Sequence, residues 1–159
     1  MVADAERLVG EAVQTTRTLT VDLNPPVLHG DGLEQTFEWL AHRMADAYGL
    51  DVRVTAEAHV EVGKTIQVLL FQIVRELLFN VVKHAGTGEA EVLVTRSEAG
   101  GVRVTVADRG VGFEMSDDVS DGVGLVSVRE RIRLVGGTVD LESSPGEGTE
   151  IVVECPIEL

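Results

Sequence analysis

An α+β fold, with helices on one face of a largely antiparallel sheet of about five strands, is predicted by three features of the sequence. Residues 65–84 are apolar nearly all the way round, as the central helix of a core must be. The alternating runs 90–96 and 102–106 meet at Gly100-Gly101, the signature of two strands joined by a turn. Two more strand-like runs, 138–142 and 150–156, close the chain on either side of a turn at 143–148.

The other elements are read from the N-terminus onward. Residues 1–20 repeat apolar side chains at helical spacing (Ala5, Leu8, Val9, Ala12, Val13, Thr16, Leu19). The repeat stops before Asn24-Pro25-Pro26, because a proline disfavours helical geometry in the residue before it. A second helix is expected over 31–48, with Asp31 as its cap, Leu33, Phe37, Leu40, Ala41 and Met44 facing inward, and Gly49 ending it. Residues 50–57 read as a strand, and Gly86 closes the long helix. Residues 107–124, rich in glycine and aspartate, read as loop, and 125–135 as a helix ended by Gly136-Gly137. The domain expectation is 1–24 as the end of a helix plus a linker, and 25–159 as the folded domain.

Composition narrows the function. A chain of 159 residues suits one domain, or one domain with a short appendage. Asp and Glu number 27 against 13 Lys and Arg, a formal charge of -14 that argues against a nucleic-acid partner, which needs basic patches. It leaves room for a nucleotide, which requires only a few local donors and a metal. No uninterrupted run reaches the roughly 18 apolar residues of a membrane span, and residues 1–11 do not resemble a signal peptide. The expectation is a cytoplasmic chain with no membrane contact of its own. The lone Cys155, inside the apolar run 151–157, reads as a small buried hydrophobe.

One polar stripe breaks the apolar helix. At about 100° per residue, Gln72, Glu76, Asn80 and Lys83 fall within roughly 80° of one another. A solvent-facing seam would produce this pattern, and so would a magnesium and phosphate site. Mg²⁺ takes hard oxygen ligands, often only one or two from protein, so the amide oxygen of Asn80 and the carboxylate of Glu76 suffice. Lys83 adds a compact positive charge for phosphate oxygens.

Glycine loops lie beyond this helix. Asp108-Arg109-Gly110-Val111-Gly112-Phe113 places a carboxylate before two glycines at a strand end. Glycine lets the backbone approach a flat ligand, and the carboxylate can accept a hydrogen bond from an exocyclic amine. Gly122-Val123-Gly124-Leu125 opens a helix, whose N-terminal amides form a phosphate cradle when they are not merely a flexible start. Gly146-Glu147-Gly148-Thr149 precedes the last strand, where Thr149 is either a strand-start hydroxyl or a ligand contact.

Taken in order, Glu76-Leu77-Leu78-Phe79-Asn80-Val81-Val82-Lys83-His84-Ala85 and these three glycine segments resemble the asparagine box and glycine boxes of the histidine-kinase ATPase domain. That domain belongs to the GHKL superfamily, shared with type II topoisomerases, a heat-shock chaperone and mismatch-repair proteins. Within it the sequence is similar to the nitrate-sensor-like sensor kinases. The likeness lies in Leu23-Asn24-Pro25-Pro26-Val27-Leu28, in Lys83-His84-Ala85, in Leu125-Val126-Ser127-Val128-Arg129-Glu130-Arg131-Ile132, and in the short stretch 113–122. Two departures stand out: Arg109 replaces a frequent asparagine, and Ser127-Val128 replaces a common glycine–methionine pair.

The resemblance implies a two-layer α/β sandwich of the Bergerat type, with ATP between the helices and a lid. It implies that Asp108 binds the adenine amine, with Thr149 near it through a water. Asn80 would hold Mg²⁺ beside Glu76, and the two would be the catalytic residues. Lys83 and the Gly122–Gly124 lid would meet the phosphates, with Gly110, Gly112 and Leu125 in the same boxes. His84 is either a nucleotide-side or a structural residue.

The reaction implied is donation of the γ-phosphoryl group to a histidine on an upstream dimerisation and phosphotransfer domain, and through it to a response regulator. None of His29, His42, His59 and His84 lies in the family's phosphoacceptor setting. The chain is therefore expected to be a monomer whose parent is a homodimer. The alternatives are a serine kinase of the anti-sigma type and a nucleotide-binding module without transfer activity.

Overall fold

In the computed structural model, the structure describes Ala5, residues 30–116 and residues 123–159, except for the side chain of Val123. The helix expected over 1–20, the Pro25-Pro26 linker and Gly122 lie outside the described residues. The chain separates into two units, Met1–Gly30 and Asp31–Leu159, and the second carries a five-stranded sheet with its helices.

Helix α1 (Leu33–Tyr48) buries Leu33, Phe37, Leu40, Ala41 and Met44, the stripe its spacing predicts, together with Thr36. Gly32, not Asp31, is its N-cap. The Thr36 hydroxyl donates to the Gly32 carbonyl, and the Gln67 amide donates to both the Asp31 carbonyl and the Thr36 hydroxyl. This region therefore engages Asp31 through its main chain. Gly49, at φ 67, terminates the helix in the left-handed conformation that glycine tolerates.

The strands are β1 (Asp51–Ala56), β2 (Glu89–Arg96), β3 (Val102–Asp108), β4 (Thr138–Ser144) and β5 (Gly148–Cys155). They form one sheet of order β1-β2-β3-β5-β4, in which only the β1–β2 pair is parallel. Their alternation sends Val92, Val94, Val102, Val104, Val106, Ile151 and Val153 into one core with the helices. Strand β3 runs on to Asp108 because Ala107 and Asp108 keep their pairing with both β2 and β5, so the loop expected from 107 starts later.

Helix α2 (Lys64–Asn80) is the apolar core helix the sequence predicts, and the segment after it departs from expectation. Lys64–Ala85, 22 residues, is long and apolar enough to cross a membrane by length and composition, although its polar stripe interrupts every continuous apolar run. Here it is the core helix, with Ile66, Leu70, Ile73, Val74, Leu77 and Leu78 all at most 1% exposed. The α-helix also ends at Asn80, and Val81–Ala85 form a π turn closed by Gly86 at φ 64. A π turn advances fewer degrees per residue than an α-helix. On this turn the Lys83 ammonium lies 5.9 Å over the Phe79 ring.

Helix α3 (Val123–Leu134) packs on α2 and β4, and its Val128 and Ile132 are wholly buried. Both residues of its Ser127-Val128 pair have structural duties. Val128 fills the core, and Arg131, one turn on, binds the Ser127 carbonyl and hydroxyl.

Candidate functional site

The ends of β3, β4 and β5 and one side of α2 surround a cavity of about 420 Å³. That is within the usual range for a small-molecule site, roughly 300–1,000 Å³. Leu77, Val81, Val106, Phe113, Leu125, Leu141 and Ile151 give it apolar walls, and Asn80, His84, Asp108 and Thr149 bring polar groups to it. An apolar slot with a few polar groups at its edge suits a flat heteroaromatic ring.

Of the residues singled out from sequence, Asn80, His84, Asp108, Gly112, Gly124, Leu125 and Thr149 all line this one cavity. Glu76, Lys83 and Gly110 do not line it, and Gly122 is outside the described residues. The Glu76 carboxylate instead stands where α3 begins. A Cβ built on Gly124 would come 2.6 Å from Glu76 Oε1, so glycine leaves space for a carboxylate at the positive end of a helix. Beside it, burial lowers the Arg75 guanidinium from its ordinary value, Glu76 raises it, and Arg131 lowers it further.

The 108–113 loop is stapled at both ends. Asp108 Oδ1 accepts from the Gly110 amide at 2.8 Å, which leaves Oδ2 available. Val111 donates to the Ala85 carbonyl that ends the π turn (2.8 Å) and accepts from the Gly146 amide (2.7 Å). Gly110 and Gly112 are required by packing as much as by any ligand. A Cβ on Gly110 would overlap the Ala85 carbonyl, and one on Gly112, at φ 58, would overlap that of Ser144.

Sequence reasoning missed Ser143. Its hydroxyl accepts from the Phe113 amide (3.0 Å), donates to the Gly148 carbonyl (2.9 Å) and meets the Thr149 hydroxyl (3.0 Å). The signal lay in the hairpin. Pro145-Gly146 between Ser144 and Glu147 is a type II turn, and pairing outward from it sets Ser143 opposite Thr149. Because β5 also pairs with β3, Asp108, Thr149 and Ser143 stand in one row across three strands.

Comparison with known proteins places the chain in a family. Residues 65–159 match the family described as histidine kinase-, DNA gyrase B-, and HSP90-like ATPase. The chain is 32% identical over 154 residues to the oxygen sensor histidine kinase NreB of Staphylococcus carnosus, covering 96% of this chain and 44% of that protein. It is 31% identical over 152 residues to the sensor histidine kinase LiaS of Bacillus subtilis, covering 96% and 42% respectively. It thus spans less than half the length of either relative. Among solved structures, the ATP-binding domain of PrrB from Mycobacterium tuberculosis superposes with a TM-score of 0.66 at 29% identity, covering 79% of this chain and 94% of that one. The fold, the ordered boxes and the family match agree, and the chain belongs to the histidine kinase-, DNA gyrase B- and HSP90-like ATPases as the ATP-binding domain of the sensor histidine-kinase kind.

Proposed function

We propose that this domain binds Mg-ATP in the cavity and donates the γ-phosphoryl group to a histidine on a dimerisation domain outside these 159 residues, in two-component signalling. The observation that carries this reading is the convergence of Asn80, His84, Asp108, Gly112, Gly124, Leu125 and Thr149 on one cavity from four separated segments of sequence. Asp108 Oδ2 would accept from the adenine amine with Thr149 beside it, and the apolar walls would hold the ring.

The donor set fits magnesium. Among the described residues no three His, Cys, Asp or Glu side chains group as a metal site, and Mg²⁺ needs only one or two protein oxygens. Asn80 would supply one directly, and Glu76, one helical turn before it on α2, would hold a metal-bound water. The metal would neutralise phosphate charge. Glu76 would accept the proton that the target imidazole releases as its nitrogen bonds to phosphorus and ADP leaves. Lys83, whose side chain is exposed, would reach the phosphates from the rim, as would the amides at the start of α3. In the parent protein the dimerisation domain would supply the homodimer contacts and hand the phosphoryl group to a response regulator.

Phosphotransfer to a supplied dimerisation domain tests this directly. The chain, ATP and Mg²⁺ should place an acid-labile, base-stable phosphate on that domain's histidine. Bound ATP with no transfer would reduce the chain to a nucleotide-binding module, and an acid-stable phosphoserine would make it a serine kinase.

A further inference from the structure

A serine hydroxyl has one hydrogen to donate and two lone pairs to accept with. All three are committed at Ser143. A carbonyl can only accept, so the hydrogen goes to Gly148 O, and an amide N–H can only donate, so the Phe113 N–H takes one lone pair. The remaining contact, Thr149 Oγ1 at 3.0 Å, must then fill the second lone pair with its own hydrogen. The direction of the Thr149 hydroxyl is thereby set by a residue that does not line the cavity. With its hydrogen turned towards Ser143, Thr149 offers the cavity lone pairs alone. A carboxylate likewise only accepts, and at Asp108 the Gly110 amide takes Oδ1 while Oδ2 remains for the ligand.

We propose that Ser143 is a positioning residue that makes this end of the cavity acceptor-only, so that it takes a purine with an exocyclic 6-amino group and rejects a 6-oxo purine. This rests on the ATP-binding reading above and adds to it what sets the polarity of the second acceptor. A 6-amino group has two hydrogens to give. A 6-oxo group would bring a third acceptor against two, leaving buried lone pairs opposed and unpaired, which is the situation in which sites discriminate most strongly. The lock is local. Phe113, Ser143, Gly148 and Thr149 come from the glycine loop and a single hairpin, so one substitution releases it without touching Asp108.

The test is isothermal titration of the chain with ATP and with inosine triphosphate, each with Mg²⁺, for the wild type, Ser143→Ala, Thr149→Val and the double variant. Thermal melts establish first that each is folded. The wild type should prefer ATP strongly. In Ser143→Ala the freed Thr149 hydroxyl can turn and donate to a 6-oxo group, so the ATP/ITP ratio should fall at least about tenfold, mainly through tighter ITP binding. Thr149→Val should weaken ATP and leave ITP unchanged or improved. In that background Ser143→Ala should not move the ratio further, because the hydroxyl it orients is gone. A ratio unchanged in Ser143→Ala, or equal losses for both nucleotides in Thr149→Val, would overturn the assignment while leaving ATP binding intact. A wild type that binds neither nucleotide would overturn both readings.

Discussion

The two ends of the cavity are built by different means. The end proposed to take the base is a row of residues fixed by strand pairing: Asp108, Thr149 and Ser143 lie in register on β3, β5 and β4, and Ser143 joins them to the glycine loop. Backbone contacts there are so close that a Cβ on Gly148, at φ 82, would overlap the Asp108 carbonyl. The end proposed to take the phosphates is built from side chains on helices. Asn80 ends an α-helix, His84 stands on a π turn, and beside the cavity the tip of the Glu76 carboxylate occupies the space that a Cβ on Gly124 would need. Errors at the first end should therefore cost folding or recognition of the base, and errors at the second should cost chemistry.

The largest effect is expected from Gly148→Ala. It forces an L residue into the left-handed region and drives a methyl into rigid backbone, so stability should fall by about 3 kcal/mol or more in chemical denaturation. Gly146→Ala, at φ 80 but with nothing within 4 Å, should cost only about 1 kcal/mol. Equal costs at the two positions would mean that the close approach to Asp108 does not hold the base end. Asp108→Asn tests recognition alone. The asparagine oxygen can still accept from the Gly110 amide while its NH₂ meets the ligand's amine. ATP affinity should drop about 100-fold, with the melting temperature within about 3 °C of wild type.

At the other end, Gly124→Ala meets the mobile end of a side chain 2.6 Å away and not backbone. Stability should change by less than about 1 kcal/mol while transfer to a supplied dimerisation domain falls roughly 10- to 100-fold, because Glu76 is displaced. A large loss of stability with transfer intact would erase the contrast between the two ends. Asn80→Ala should weaken nucleotide binding on the order of tenfold with Mg²⁺ and hardly at all with chelator, the worth of one charge-assisted contact. Equal losses in both conditions would make Asn80 structural.

The smallest effect lies at the far end of β5, away from both. Burial pushes the Cys155 thiol up from 9.0 to about 11. Below pH 9 the thiol is protonated whether the chain is folded or unfolded and adds no pH dependence. Between pH 9 and 11 only the unfolded chain ionises, so stability should decline there more in wild type than in Cys155→Ala. Parallel declines would mean that the thiol is not shielded.

Most of the fold was legible because period and turn chemistry are local. The stripe of α1, the alternation of β2 and β3 and the αL glycines at 49 and 86 all arise from spacing and φ preference. The polar lining of the cavity was legible where rare polar residues stand in an otherwise apolar setting, as with Asn80 in its helix and Asp108 before two glycines. What escaped depends on tertiary register. Nothing in the chain near Val81 announces a π turn, so helical spacing carries the α-helix on through 84. Ser143 looks like a turn residue because its partners, Phe113 and Thr149, are brought to it only by strand pairing and a folded loop.

The central claim, that the row anchored on Asp108 is the base-recognising end of an ATP site, is tested most directly by one titration series with ATP and Mg²⁺. Wild type and Cys155→Ala should give the same single-site isotherm, and Asp108→Asn should give essentially none under the same conditions. A flat isotherm for wild type, or one that Asp108→Asn leaves unchanged, would contradict the account.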